Sequence, residues 1–381
     1  MNLIPYGKQN ISNEDIALVK KVLKSEIITN GKEILNFEKK FKHYVKSRYS
    51  LACNSGTSGL FLAMSALNLK KDDVIVMPAI NFIASYNVAK FFGAKIYLAD
   101  IDPDTGQMSP ETFEACCKKF SLKKVKIILL MYLGGFPVNA DKFQKYKKKY
   151  NAKILEDACH ALGSFYKNNK KRYMIGSCKH SDISVFSLHP VKTITTGEGG
   201  VITTNSQDLY KAIYHTRSLG INRSKKKHWD YDVKKIGLNF RLNEFQSILG
   251  ANQLKRINTF LDYRNKIYNF YNANLKNVSQ ISILSKSNNK YTSSNHLFII
   301  RIKNSNKKRK ERFIKYMLKK KIFLQFHYIP IFKFKVFNNN FLGKNSIQYY
   351  EEAISLPIYY KLSFRDLAYI VKTIKFFFNA R

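Results

Sequence analysis

Apolar residues along this chain change their period several times, and each change marks an element. Ser12 followed by Asp15 is a capping-box start, and Ile16, Val19, Val22 and Leu23 then recur at helical spacing. A second helix is predicted from Glu33 through Val45. Short apolar runs follow at Ser50 to Cys53, Val74 to Met77, Lys95 to Leu98, Val125 to Met131, Ala152 to Leu155, Ile183 to Phe186 and Val201 to Thr204, most of them separated by helical or loop segments. Strand alternating with helix implies a mostly parallel sheet covered on both faces. After Leu249 the pattern shifts to long amphipathic helices over Gln253 to Leu275, a strand at His296 to Ile302, a basic helix near Lys307 to Lys320 and a closing helix from Phe364. The expected organisation is α/β. Residues 1–249 would form a large domain and residues 250–381 a smaller C-terminal α+β domain, with the N-terminal segment free to pack on the smaller one.

Composition adds bounds to this picture. At 381 residues and 45% apolar content, the chain can bury a large core. Its five cysteines, Cys53, Cys116, Cys117, Cys159 and Cys178, are odd in number and lack metal-ligand spacing. They read as reduced thiols of a cytosolic protein, with no metal site. No apolar run approaches the ~20 residues of a membrane span, and Met1 to Tyr6 has no signal-like core, so the cytoplasm is the expected location. The formal charge of +40 would suit nucleic-acid binding. Its distribution argues otherwise, because lysines are spread along the whole chain rather than gathered in a stripe. The denser runs, Lys167 to Arg172, Lys225 to His228 and Lys307 to Arg312, are expected in loops or at a helix start. A positive surface would instead favour anionic partners such as a diphosphate.

The candidate chemistry centres on Lys192. It stands between a strand ending at Phe186-Ser187, stopped by Pro190, and the glycine-rich turn Thr195-Thr196-Gly197-Glu198-Gly199-Gly200. A lysine so placed could form a Schiff base with a carbonyl cofactor, and pyridoxal phosphate also needs a carboxylate at its ring nitrogen and donors around its phosphate. Asn54-Ser55-Gly56-Thr57-Ser58-Gly59 follows a core strand and opens an apolar helix, which makes either a phosphate cradle or an ordinary helix cap. Asp157 follows a buried strand, where it could face a pyridinium or simply cap the next helix. His160 could equally be a hydrogen-bonded core residue, and Phe82 could stack on a flat ring or join the core. The order of these groups, each at a strand's end, favours the cofactor reading.

These segments resemble the sugar aminotransferase branch of fold-type I pyridoxal-phosphate enzymes, the DegT/StrS family, almost from end to end. The similar segments are Ile4-Pro5-Tyr6-Gly7, Ile28-Thr29-Asn30-Gly31, Asn54-Ser55-Gly56-Thr57-Ser58, Glu156-Asp157-Ala158 with His160, and above all Phe186 to Gly200. With Gly237-Leu238-Asn239-Phe240-Arg241-Leu242 and Phe326-His327-Tyr328-Ile329-Pro330, that last run is similar to the nucleotide-sugar aminotransferases of pseudaminic acid biosynthesis. The resemblance implies that Lys192 is the Schiff-base lysine and Asp157 the partner of the ring nitrogen. It implies that Ser187, Gly56, Thr57 and Ser58 hold the phosphate, that Phe82 stacks on the ring and that His160 also contacts the cofactor. Asn239 would reach the cofactor phosphate of a neighbouring subunit, which makes a homodimer. Tyr6, Arg241, His327 and Tyr328 would contact the substrate.

The implied reaction moves an amino group from L-glutamate to C4 of a UDP-linked 4-keto-6-deoxy-N-acetylhexosamine in a ping-pong cycle. Another nucleotide-linked keto sugar, or a non-catalytic regulatory role on the same fold, stays open. A pyridoxal-dependent sugar dehydratase is disfavoured because such relatives carry histidine in place of Lys192. Departures from commoner family versions are Leu133-Gly134-Gly135-Phe136, Gly59 in place of Ala, and a longer, more basic loop from Lys167 to Met174.

Overall fold

Every strand of the central sheet is five residues long, and most bury nearly all of them. In chain order with the hairpin that interrupts them, the strands are β1 Tyr49–Cys53, β2 Val74–Pro78, β3 Lys95–Ala99, β4 Ile127–Met131, β5 Lys153–Asp157, β6 Phe165–Asn168, β7 Lys171–Met174, β8 Ile183–Ser187 and β9 Gly200–Thr204. The sheet runs β1-β9-β8-β5-β4-β2-β3. Strand β9 is antiparallel to both neighbours and all other pairs are parallel. The computed structural model describes residues 3–379 apart from 138–139, 169–170, 225–228, 234, 285–289, 338–340 and 342, so the basic run Lys225 to His228 lies outside the described residues.

The alternation of side chains across a strand explains why these runs are apolar throughout. Ile127, Leu129 and Met131 of β4 enter one hydrophobic core, while Ile128 and Leu130 enter the core on the other face. Full burial of such a side chain is worth roughly 1.5–3 kcal/mol, so both faces hold the sheet in register. The capping box at Ser12 forms as expected and starts helix α1, Asn13–Leu23. Helix α2, Lys32–Val45, has no side-chain cap of its own. The buried Glu244 carboxylate supplies one from far along the chain, accepting from the N–H groups of Glu33 (2.7 Å) and Ile34 (3.2 Å).

Three expectations need correction. The basic stretch from Lys167 is a hairpin rather than a loop: β6 pairs with β7 and with Tyr291–Thr292. Tyr166 and Met174 are buried, and the Arg172 guanidinium covers the Phe165 ring at 3.5 Å, so charged side chains on the open face masked a strand pattern. The helices expected over Gln253 to Leu275 are Glu244–Lys255 and Ile257–Leu275, so the first begins well before Gln253. Arg256 separates them at φ −98°, ψ 7° and bonds the buried Asp15 carboxylate at 2.5 Å. The strand expected from His296 begins at Phe298, because the N–H groups of His296 and Leu297 donate to the Gly134 carbonyl instead of a neighbouring strand.

C-terminal to these helices, Ile281–Ile283, Phe298–Ile302 and Ala353–Leu356 form a separate antiparallel sheet. Its core holds Phe298, Ile300, Phe313 and Met317, and also Ile4. The N-terminal segment is tied there by hydrogen bonds of Ile4 with Lys321 and Phe323. No helix among the described residues is long and apolar enough to cross a membrane.

Candidate active site

Ligands of open parallel sheets bind beyond the carboxyl ends of the strands, and here the ends of β1, β2, β4, β5 and β8 meet at one cavity of about 470 Å³. Strand register sets the floor. Cys53 of β1 and Ser187 of β8 both pair with Gly200 of β9, which brings the turn after β1 beside Ser187.

Helix α3, Gly56–Ala66, starts in that turn with Ser55 as its cap. The Ser55 hydroxyl accepts from the Ser58 N–H at 3.0 Å. The Ser58 hydroxyl in turn accepts from the Ser55 N–H at 3.0 Å and donates to Asn54 Oδ1 at 2.6 Å. First-turn amides have no acceptor within a helix, so Gly56 and Thr57 are left to present theirs to the cavity with the positive end of the helix behind them. A Cβ on Gly56 would meet Cβ of Ser187 at 3.0 Å, tighter than ordinary contacts, so this close approach needs glycine. Such a cradle suits a phosphate.

Strand β5 ends in two carboxylates that face opposite ways. Glu156 is buried on one face, accepting from the Tyr132 hydroxyl at 2.6 Å and from Ser184, and burial raises its pKa. Asp157 faces the cavity, where it accepts from the Ser85 hydroxyl at 3.0 Å and the Cys159 N–H at 3.3 Å. These two donors fix the orientation of the carboxylate. Ser85 lies in the first turn of helix α4, Ile83–Phe91, whose cap residue Phe82 leaves its ring 51% exposed at the cavity wall.

Lys192 enters from the segment after β8, held by its N–H to the His189 carbonyl at 2.9 Å and by Thr195 Oγ1 to the Leu188 carbonyl at 2.8 Å. Burial lowers the pKa of its amine, Asp157 and Cys159 oppose this, and Arg264 adds to the fall. His160, at the opposite wall, bonds the Tyr328 hydroxyl through Nε2 at 2.9 Å. His327 is pushed down to about 3 by burial and the Lys192 charge, and its Nδ1 lies 2.8 Å from Ser355 Oγ.

Of the residues singled out in the sequence, the cavity gathers Lys192, Asp157, Gly56, Thr57, Phe82, His160 and Ser187, with Tyr6, His327 and Tyr328 above them. Ser58, Asn239 and Arg241 do not line it. Ser58 is buried and its hydroxyl is spent in the capping box, while Ser55 takes its place in the wall. Asn239 is exposed and pairs through its backbone with Ser218. The lining also includes Glu198, His296 and Gln325, which the sequence reading did not assign. Glu198 stood in the quoted turn and could have been found; His296 and Gln325 come from the distant C-terminal half and carried no local signal.

The cavity fits pyridoxal phosphate in the chemistry of its walls: an amine, a carboxylate, an exposed aromatic face and a helix N-terminus that needs glycine for close approach. Comparison with known proteins agrees. The profile of the DegT/DnrJ/EryC1/StrS aminotransferase family matches residues 9–375. The UDP-4-amino-4,6-dideoxy-N-acetyl-beta-L-altrosamine transaminase of Campylobacter jejuni subsp. jejuni serotype O:23/36 (strain 81-176) is 35% identical over 376 residues, covering 98% of this chain and 96% of its own. Among solved structures, Helicobacter pylori PseC, an aminotransferase involved in the biosynthesis of pseudoaminic acid, superposes with a TM-score of 0.91 at 30% identity over 100% of both chains. The PLP-form of a putative sugar aminotransferase from Streptococcus pneumoniae gives a TM-score of 0.90 at 26% identity over 99% of each chain.

Proposed function

The chain belongs to the DegT/DnrJ/EryC1/StrS aminotransferase family, and from this premise we propose that it is a pyridoxal-phosphate-dependent enzyme that aminates C4 of a UDP-linked 4-keto-6-deoxy-N-acetylhexosamine in the cytoplasm, with glutamate as donor. The observation that carries the reading is the meeting of Lys192, Asp157, Ser187 and the α3 N-terminus at one cavity, in a chain alike over its length to transaminases of that sugar class.

The cofactor supplies, when bound, an electron-poor ring that stabilises the charge left on carbon as a proton is removed. Gly56, Thr57 and Ser187 hold its phosphate. Asp157 keeps a proton on its ring nitrogen, aided by the donors from Ser85 and Cys159 that fix the carboxylate. Lys192 would anchor it and, once released, would be the amine that accepts the proton from the α-carbon of the donor. Burial lowers the pKa of that amine from its ordinary value. Phe82 and His160 would contact the ring, while Tyr6, His327 and Tyr328 would meet the nucleotide sugar.

Asn239 serves the second copy of a homodimer, and Arg241 stands beside it. Support comes from its exposure outside its own cavity and from nearby apolar side chains in water, with Ile236 89% and Phe91 75% exposed. The test is incubation of purified protein with glutamate and a panel of UDP- and dTDP-linked 4-keto sugars, with product mass and NMR. Formation of 2-oxoglutarate and a 4-amino UDP-sugar is expected; no amination of any member of the panel would reject the proposal.

A further inference from the structure

The segment Leu133-Gly134-Gly135-Phe136, one of the departures noted above, lies directly behind His160. Gly134 takes the left-handed conformation (φ 65°, ψ 4°) that glycine adopts without strain. Its carbonyl accepts from the His296 N–H at 3.0 Å, and its own N–H points at Nδ1 of His160 at 3.3 Å. A main-chain N–H can only donate. Nδ1 therefore holds a lone pair, and the neutral ring carries its proton on Nε2. Nε2 is 2.9 Å from the Tyr328 hydroxyl, so the imidazole donates and the phenol oxygen accepts. The buried His296 ring packs on the same imidazole, centroids 4.3 Å apart. Burial and the neighbouring Lys192 charge depress the pKa of His160 well below its ordinary value, which keeps the ring neutral.

Once its oxygen has accepted from His160, Tyr328 has its own hydrogen left to give. Among the described residues the hydroxyl has no second hydrogen-bond partner, and the side chain stands in the cavity wall. We propose that His160 is a positioning residue: the Gly134 amide fixes it as the Nε2–H tautomer, and this makes the Tyr328 hydroxyl a one-way donor to an oxygen of the sugar substrate. The sugar as recipient rests on the function proposed above; the tautomer rests on the geometry alone.

Histidine-selective ¹⁵N NMR of the whole protein reads the first half, with His160→Gln identifying the resonance. A neutral ring protonated at Nε2 is expected at and around neutral pH, and an Nδ1–H tautomer or an imidazolium would overturn the proposal. Kinetics read the second half. Tyr328→Phe should raise KM for the keto sugar roughly 3- to 10-fold, the weight of one neutral hydrogen bond. His160→Gln, whose amide can accept from Gly134 and donate to Tyr328, should retain most of the wild-type KM. His160→Phe should match Tyr328→Phe, and the double variant should lose no more than either single one. Additive losses in KM for the keto sugar would overturn the coupling. A wild-type protein that aminates no keto sugar would instead remove the substrate reading and, with it, the sugar as recipient, while the NMR result would stand or fall by itself.

Discussion

Lys192 beyond the carboxyl end of β8 and Lys310 in the C-terminal unit share one feature, a pKa lowered by burial. Their settings differ in what else is present. Lys310 is 6% exposed, its amine bonded to the Tyr350 carbonyl and covered by the rings of Phe326 at 4.4 Å and Tyr350 at 4.5 Å. Its partners are a carbonyl and two aromatic faces, which satisfy a cation and leave no room for a reactant. Lys192 opens on a cavity with a carboxylate, a helix N-terminus and an exposed ring. A depressed pKa is thus common to a structural and a chemical lysine, and it is the surrounding space and the converging polar groups that separate them.

The comparison can be broken most sharply by deletion. Lys192→Ala removes both the anchor and the proton carrier, so turnover should fall by several orders of magnitude in a glutamate–keto-sugar assay. Lys310→Met should change turnover only a few-fold; equal losses would erase the distinction. Next in size is Asp157→Asn, which keeps the shape but cannot hold a ring proton. It should lower turnover by roughly 10²-fold or more while thermal unfolding stays near wild type. Retention of most activity would return Asp157 to the role of a helix cap.

A mixing experiment asks whether the cavity is completed by a second chain. Lys192→Ala and Asn239→Ala, each inactive alone, should regain activity when their subunits exchange, because one site of the mixed dimer then has both residues intact. No recovery in a verified heterodimer would confine Asn239 to its own chain. The smallest effect concerns stability. With its folded pKa lowered from 10.5 to about 8, Lys310 is neutral in the folded state while still charged in the unfolded one between those values. The unfolded state then binds more protons, so stability rises with pH across that window. Relative to Lys310→Met, wild type should therefore gain stability from pH 8 to 10.5, measured by denaturant unfolding; a flat difference would mean that Lys310 is not held as described.

The sequence revealed the parallel strands because their side chains are apolar on both faces, as in Ile127 to Met131. It revealed Lys192, Asp157 and Gly56 as a set because each follows such a strand and the register brings strand ends together. It did not show that Glu156, on the opposite face of the strand, is held by Tyr132 and Ser184. Nor could it show that Ser55 lines the cavity while Ser58 is buried, since both hydroxyls serve the same capping box. His296 and Gln325 come from segments between the strands of the second sheet, and the strand pattern of β6 and β7 was masked by charged side chains such as Arg172, which covers the Phe165 ring. These are long-range consequences of packing, without a local sign.

The most direct measurement is to reconstitute the protein with stoichiometric pyridoxal phosphate, reduce it with borohydride and map the modified peptide. The account predicts that the added mass sits on Lys192, that a yellow colour is lost on reduction, and that Lys310 stays unmodified. Label on Lys310, or on surface lysines with Lys192 untouched, would contradict it.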